Sequence, residues 1–197
     1  MSDELSKDLD DIEETNAIVP VLNALPLAST TQPFAHYLRN KFTPARKWGD
    51  KEICLFANFG NEHFEQWGLS SLNKGIGGSE TAVIRLVQEW VTHGYRVTVY
   101  GDPGDEQGVH YGINWLPWYH FNPQDEFNIF IQWRNWSLAG DIKAKKFLVD
   151  LHDIYSQMDI KDEDMEHVDA LMVKSEYQRK LAPKVPDAKM KALSNGI

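Results

Sequence analysis

The sequence predicts an α/β protein with a doubly wound, mostly parallel sheet, and three observations point there. From Lys51 onward, short apolar runs alternate with helical or turn-rich stretches. The runs are nearly continuous in Val, Ile, Leu and Phe, as strands buried on both faces require. Between the first run and the one clear amphipathic stretch lies Lys74-Gly75-Ile76-Gly77-Gly78-Ser79-Glu80. Its three glycines let the backbone turn sharply where a strand-to-helix connection is expected.

In chain order, residues 1–14 hold seven acids against Lys7, a net of −6 out of −9 for the whole chain. This tail reads as disordered, although Leu5, Leu9 and Ile12 fall at helical spacing. Residues 15–50 are cut by Pro20, Pro26, Pro33 and Pro44 into an extended lead-in, with a helical turn or two around Phe34–Lys41. Residues 1–50 are thus tail and lead-in, and 51–197 the folded domain. The first strand, 52–57, is Glu-Ile-Cys-Leu-Phe-Ala. After a loop with Asn61, His63 and Trp67 comes the glycine turn, then a helix over 79–93 with Ala82, Val83, Leu86, Val87 and Trp90 on one stripe and Gly94 as its stop. Further strands are expected at 96–100, 114–118, 127–131, 146–151 and 170–173. A last helix, Ser175–Leu181, has Ser175 as its N-cap. Ligands of such sheets bind beyond the carboxyl ends of the strands, which selects 74–80, 101–105, 132–136, 152–155 and 174–176.

Composition narrows the function classes. Beyond the tail the chain carries only −3 of its −9, so it offers no electrostatic footprint for nucleic acid. No apolar run nears the ~18–20 residues that span a membrane. The acidic start is not a secretory signal. The single cysteine, Cys54, allows no internal disulfide, fits a cytoplasmic location and reads as packing within a strand. The seven histidines show no metal-ligand spacing, and no metal or other cofactor is expected.

The glycine turn precedes a helix whose N-terminal N–H groups and dipole favour an anion, so Gly77, Gly78, Ser79 and Glu80 are candidate binding residues. A tight packing turn is the plain alternative. The turn lacks the third glycine of the dinucleotide fingerprint, which Asp102 supports only loosely, and it lacks the Gly-Lys-Ser/Thr of a P-loop. Glu80 either steadies the helix dipole or contacts a substrate hydroxyl. His152, just past the strongly apolar fifth strand, is the candidate catalytic residue, with Asp153 expected to fix its tautomer; capping of the strand end is the alternative. Most aromatics between Tyr111 and Trp136 read as core. Trp133-Arg134-Asn135-Trp136 is set apart because it follows a strand end, and Arg134 could hold an anionic group. Ser175 stands at another such end. No nucleophilic triad or glycosidase carboxylate pair is recognisable.

Several pieces, in this order, resemble the N-terminal domain of retaining glycosyltransferases of family 4, which have the GT-B fold. They are Gly75 to Ala82, His93 to Gly104, Leu151-His152-Asp153, Val173 to Arg179 and the ending Ser194-Asn195-Gly196-Ile197. The resemblance covers about 51–197 and implies a Rossmann-like domain that holds the acceptor and faces a second domain holding a nucleotide-sugar. It implies that Gly77 and Gly78 reach the donor phosphates or the transferred sugar, that His152 lies near that sugar, and that no metal is used. The likeness stops at the interdomain crossing. The paired glutamates and nucleotide-sugar pocket of the second domain are therefore expected in cis or in trans, and residues 1–197 alone are expected to be inactive or weakly active. Family members often take lipid-linked acceptors, so peripheral association with a membrane is compatible, although the 79–93 helix has few basic residues to support it. The alternative is a non-catalytic Rossmann-like module that binds a glycan or a protein.

Overall fold

The computed structural model describes residues 33–57, 66–152, 162–182 and 184–195. The acidic tail, most of the lead-in, Asn61, His63, Asp153 and Gly196-Ile197 lie outside the described residues. The chain divides into two compact units, residues 1–45 and 46–197. In the first, helix α1 (Pro33–Phe42) carries Arg39 and Lys41 in its last turn, where cations complement the dipole. Pro44 follows, disfavouring helical backbone at the residue before it.

The second unit is an eight-stranded sheet. Its strands are β1 (Glu52–Phe56), β2 (Arg96–Gly101), β3 (Gly108–His110), β4 (Ile113–Pro117), β5 (Glu126–Trp133), β6 (Lys143–Asp150), β7 (Ala170–Val173) and β8 (Met190–Ala192). Their spatial order is β3-β4-β2-β1-β5-β6-β7-β8, and every pairing is parallel except that of β3 with β4. This is the α/β, mostly parallel architecture the sequence predicts. Strand β1 pairs with β2 on one side and β5 on the other. The winding reverses there, and the crevice beyond the carboxyl ends of β1 and β5 is the topological switch point.

Both faces of the sheet are covered, which explains the unbroken apolar runs. Ile53 and Leu55 of β1 point to one core with Val97, Val99, Ile131 and Trp133, under helix α3 (Gly78–Thr92) and its Val83, Ile84 and Val87. Cys54 points to the other, with Phe130, Phe147, Val149 and Leu171. A short helix α2 (Ser71–Lys74) leads to the glycine turn. Helix α3 ends in a Schellman motif: Tyr95 N–H donates to Trp90 O (3.1 Å), Gly94 N–H donates to Val91 O (2.9 Å), and Gly94 has φ 81°. Helices α4 (Asp162–Glu166) and α5 (Glu176–Lys180) flank β7 in sequence.

Two strands were not expected. His110 and Ile113 are joined through Tyr111 (φ 52°) and Gly112 (φ 80°), a two-residue turn with both φ angles positive that folds β3 back on β4. Strand β8 buries only Met190. Strand β6 begins at Lys143 rather than 146, because its first four residues, Lys-Ala-Lys-Lys, pair in the sheet while largely facing solvent. Among the described residues no helix is long and apolar enough to cross a membrane.

Candidate functional site

At the switch point, α3 begins at Gly78 behind the N-cap Gly77, which has no side chain to satisfy the first N–H groups. Glu80 folds back toward that end. A Cβ at Gly77 would lie 2.2 Å from Glu80 Oε2, whereas a Cβ at Gly78 would meet nothing within 4 Å. A side chain at Gly77 would therefore displace the Glu80 carboxylate, and Gly78 opens to free space. Ser79 Oγ donates to Glu80 Oε2 (2.9 Å).

Across the crevice, Arg134 follows the last residue of β5. Its Nη2 donates to Ser79 Oγ (2.5 Å) and to Glu80 Oε1 (3.2 Å). The two charged side chains are 13% and 14% exposed, so the pair is largely removed from water. The Arg134 guanidinium also lies over the Trp133 ring, 4.1 Å from its centroid. Arg134 has φ 69°, a left-handed backbone conformation unusual for a long side chain. Its N–H donates to Asp150 O (2.7 Å). The turn that follows is held by Gln132, whose amide donates to Ser137 Oγ (2.9 Å) and accepts from Leu138 N–H (3.1 Å). A strained residue held by surrounding hydrogen bonds, and aimed across a crevice, is the kind of backbone found at functional sites.

A second cluster lies at the ends of the next two strands. Trp133 and Asp150 are register partners across β5 and β6, and Asp150 and Met172 across β6 and β7. Asp150 is shared: Oδ2 accepts from His152 Nε2 (2.9 Å), and Oδ1 accepts from Lys174 Nζ. The His152 and Asp150 side chains are 1% and 2% exposed. Burial pulls the Asp150 pKa upward, but hydrogen bonds and charge from His152 and Lys174 outweigh it and hold the carboxyl below its usual range. His152 Nδ1 is buried without a hydrogen-bond partner among the described residues. The Trp133 ring stands at the imidazole's edge, centroids 5.9 Å apart.

The sequence-predicted residues therefore fall into two groups. Ser79, Glu80 and Arg134 meet, with Gly77 and Gly78 at the same helix end. His152 meets a carboxylate, but that carboxylate is Asp150, two residues upstream on β6; Asp153 lies outside the described residues. Ser175 acts as the expected N-cap, its Oγ accepting from Gln178 N–H (3.1 Å). Trp133 is fully buried and packs against Trp67, so it presents no open ring face. Asp150 and Lys174 were not singled out. The signal was Asp150-x-His152, a period-two spacing that can place both side chains on one side of the chain.

A groove of about 300 Å³ runs beside this second cluster, between α3 and the ends of β6 and β7, lined by Arg85, Leu86, Asp150, Met172, Lys174 and Asn195 among others. A larger cavity of about 510 Å³ lies at the opposite, amino-terminal ends of β5 and β6, around Lys47, Glu126, Asn128 and Lys143. The groove has the stronger claim despite its size, because it lies on the ligand-binding edge of a parallel sheet and reaches a buried charge network. Among the described residues no three His, Cys, Asp or Glu side chains converge as a metal site. Compared with protein-family models, with curated proteins and with solved structures, the chain matches none of them.

Proposed function

We propose that residues 46–197 form the acceptor-side domain of a retaining glycosyltransferase that moves a sugar from a nucleotide-sugar to a glycan, lipid or small-molecule acceptor. The observation that carries this reading is the meeting of an uncapped helix N-terminus, an open Gly78 and a strained Arg134 at the switch point. It stands beside the motif order that resembles family 4. In this reading the backbone around Gly77 and Gly78 receives the donor's diphosphate or the transferred sugar. Ser79, Glu80 and Arg134 orient it, His152 lies beside the sugar, and Ser175 stands at the edge of the same crevice. Glu80 already pairs with Arg134 Nη2, so an incoming anion must share or take over that cation. A second domain, in cis or in trans, supplies the groups that stabilise the leaving diphosphate. The chain works without a metal and resides in the cytoplasm, with the membrane surface as one place to meet its acceptor.

One observation favours a second reading, a non-catalytic module that binds a glycan or a protein. Glu80 and His152 are both engaged within the protein, as structural residues would be. Calorimetric titration with a panel of nucleotide-sugars separates the two. The glycosyltransferase reading expects weak binding by this chain and its loss in Gly78→Val, with the far-ultraviolet spectrum unchanged. No binding to any donor, by this chain or by a longer protein that contains it, together with no transfer by that longer protein, would sink it in favour of the module.

A further inference from the structure

The two edges of the sheet are finished differently. At one end β8 carries Lys191, exposed on a short strand, and a charge on an edge discourages pairing with another chain. At the other end β3 (Gly108-Val109-His110) carries no acidic or basic charge and no proline, and among the described residues it is bonded to β4 alone. From Gln107 to Gln124 the chain has no Asp, Glu, Lys or Arg, although 25% of all its residues are charged. Charge depletion among aromatic residues is the composition of an interface core. The hairpin decides which groups this edge offers. His110 and Ile113 flank the two-residue turn and exchange both their backbone bonds, so Val109, the next residue along, has its N–H and C=O turned away from β4. The Val109 side chain is exposed, and Tyr111 is 83% exposed. Tyr111 sits at φ 52°, in a turn position that Asn or Gly fills with less strain. So exposed a ring gives the hairpin no packing in return for that strain, which points to a contact outside the chain.

We propose that β3 is the interaction surface for a second copy of this chain, the two β3 strands pairing antiparallel across a two-fold axis at Val109. Such an axis needs a residue that turns both a donor and an acceptor outward, and Val109 is that residue. In this register Val109 faces the partner's Val109, and Tyr111 lies opposite the partner's Gln107. His110 lies opposite the partner's Gly108, which adds no side chain beside the ring. No like charges meet across the strands. A three-residue strand buries less than the ~1,200 Å² of a standard interface, so the dimer is weak and forms with rising concentration. The inference does not depend on the proposed function.

The test is sedimentation velocity of the chain from micromolar to millimolar concentration, with hydrogen exchange of the Val109 amide followed by NMR over the same series. Monomer should give way to dimer as concentration rises, and Val109 exchange should slow in step. The His110 amide, bonded to β4 in both states, should change little. That measurement needs no variant. Val109→Lys sets like charges opposite each other at an exposed position, so it should weaken the dimer ~5-fold and leave the melt of the monomer unchanged. Tyr111→Asn should also weaken the dimer, yet raise the melt by relieving the turn, a division that a purely structural tyrosine would not produce. A chain that stays monomeric at millimolar concentration overturns the proposal. So does a dimer that Val109→Lys leaves as strong as before, because its interface then lies elsewhere. Val109 protection that is independent of concentration also overturns it, since another segment of the same chain then covers the edge. A dimer unweakened by Tyr111→Asn overturns the role of that residue.

Discussion

The two charge clusters on the ligand-facing edge are built from the same parts and differ in how they are closed. At the switch point, Arg134, Ser79 and Glu80 join a strand end to a helix start, with Gly78 exposed beside them. On the neighbouring strand, Asp150 is buried between His152 and Lys174. A pair bordered by the exposed Gly78 can be reached by an incoming anion and trade one partner for it. A sealed carboxylate with two donors cannot, because any exchange strands a charge in low dielectric. The first cluster is suited to changing partners and the second to keeping them.

The sharpest way to break this contrast is Asp150→Ala. It leaves an ammonium and an imidazole without their acceptor, and loss of one member of a buried pair costs ~3–5 kcal/mol. A urea melt should show a lower midpoint with unchanged slope. The pH dependence has a definite sign. The folded-state pKa of Asp150 is depressed, so its contribution is fully present above the ordinary aspartate value of ~4 and is lost as pH falls through the lower, folded value. Parent and variant stabilities should converge in that acid window, and parallel acid profiles would contradict the pairing.

Arg134 separates side chain from backbone. Arg134→Ala should lose the pair while retaining the left-handed strain, costing ~2–3 kcal/mol. Arg134→Gly loses the same pair but accepts φ 69° freely, so it should be less damaging by ~1 kcal/mol. Equal melts for the two would mean that the turn stores no strain. The smallest effects belong to the glycines. Gly77→Ala must push the Glu80 carboxylate aside and should cost ~1 kcal/mol, since the displaced atoms are the far end of a flexible side chain. Gly78→Ala should change stability by less than ~0.5 kcal/mol, as a surface substitution with nothing to strike. A large loss at Gly78 would show that the open space before it is not open.

What could be read from the sequence follows from how much each element buries. Strands β1, β2, β4, β5 and β7 carry unbroken or alternating apolar runs because they lie between two cores, and their places were legible to within two residues. Edge strands β3 and β8 make few demands on sequence. The hairpin turn is Tyr111-Gly112 rather than Asn-Gly, so the usual signal was absent. The lysine-rich start of β6 looks like a loop because its side chains largely face water while its backbone pairs. At the site, the residues were legible but their engagements were not. Glu80 meets Arg134 only because β5 and α3 converge on β1, 54 residues apart in sequence. The partner of His152 lay in the strand itself, where an aspartate within an apolar run reads as an exception rather than a ligand.

Cys54 has a practical consequence of its own. It is the single thiol of the chain, lies on the central strand and is fully buried, and burial pushes its pKa well above the usual thiol range. A sulfhydryl reagent can reach it only when β1 parts from its neighbours, so the rate of modification counts openings of the middle of the sheet. Followed against denaturant, that rate distinguishes local fraying at the edges from rupture of the whole domain, with a reporter already in place.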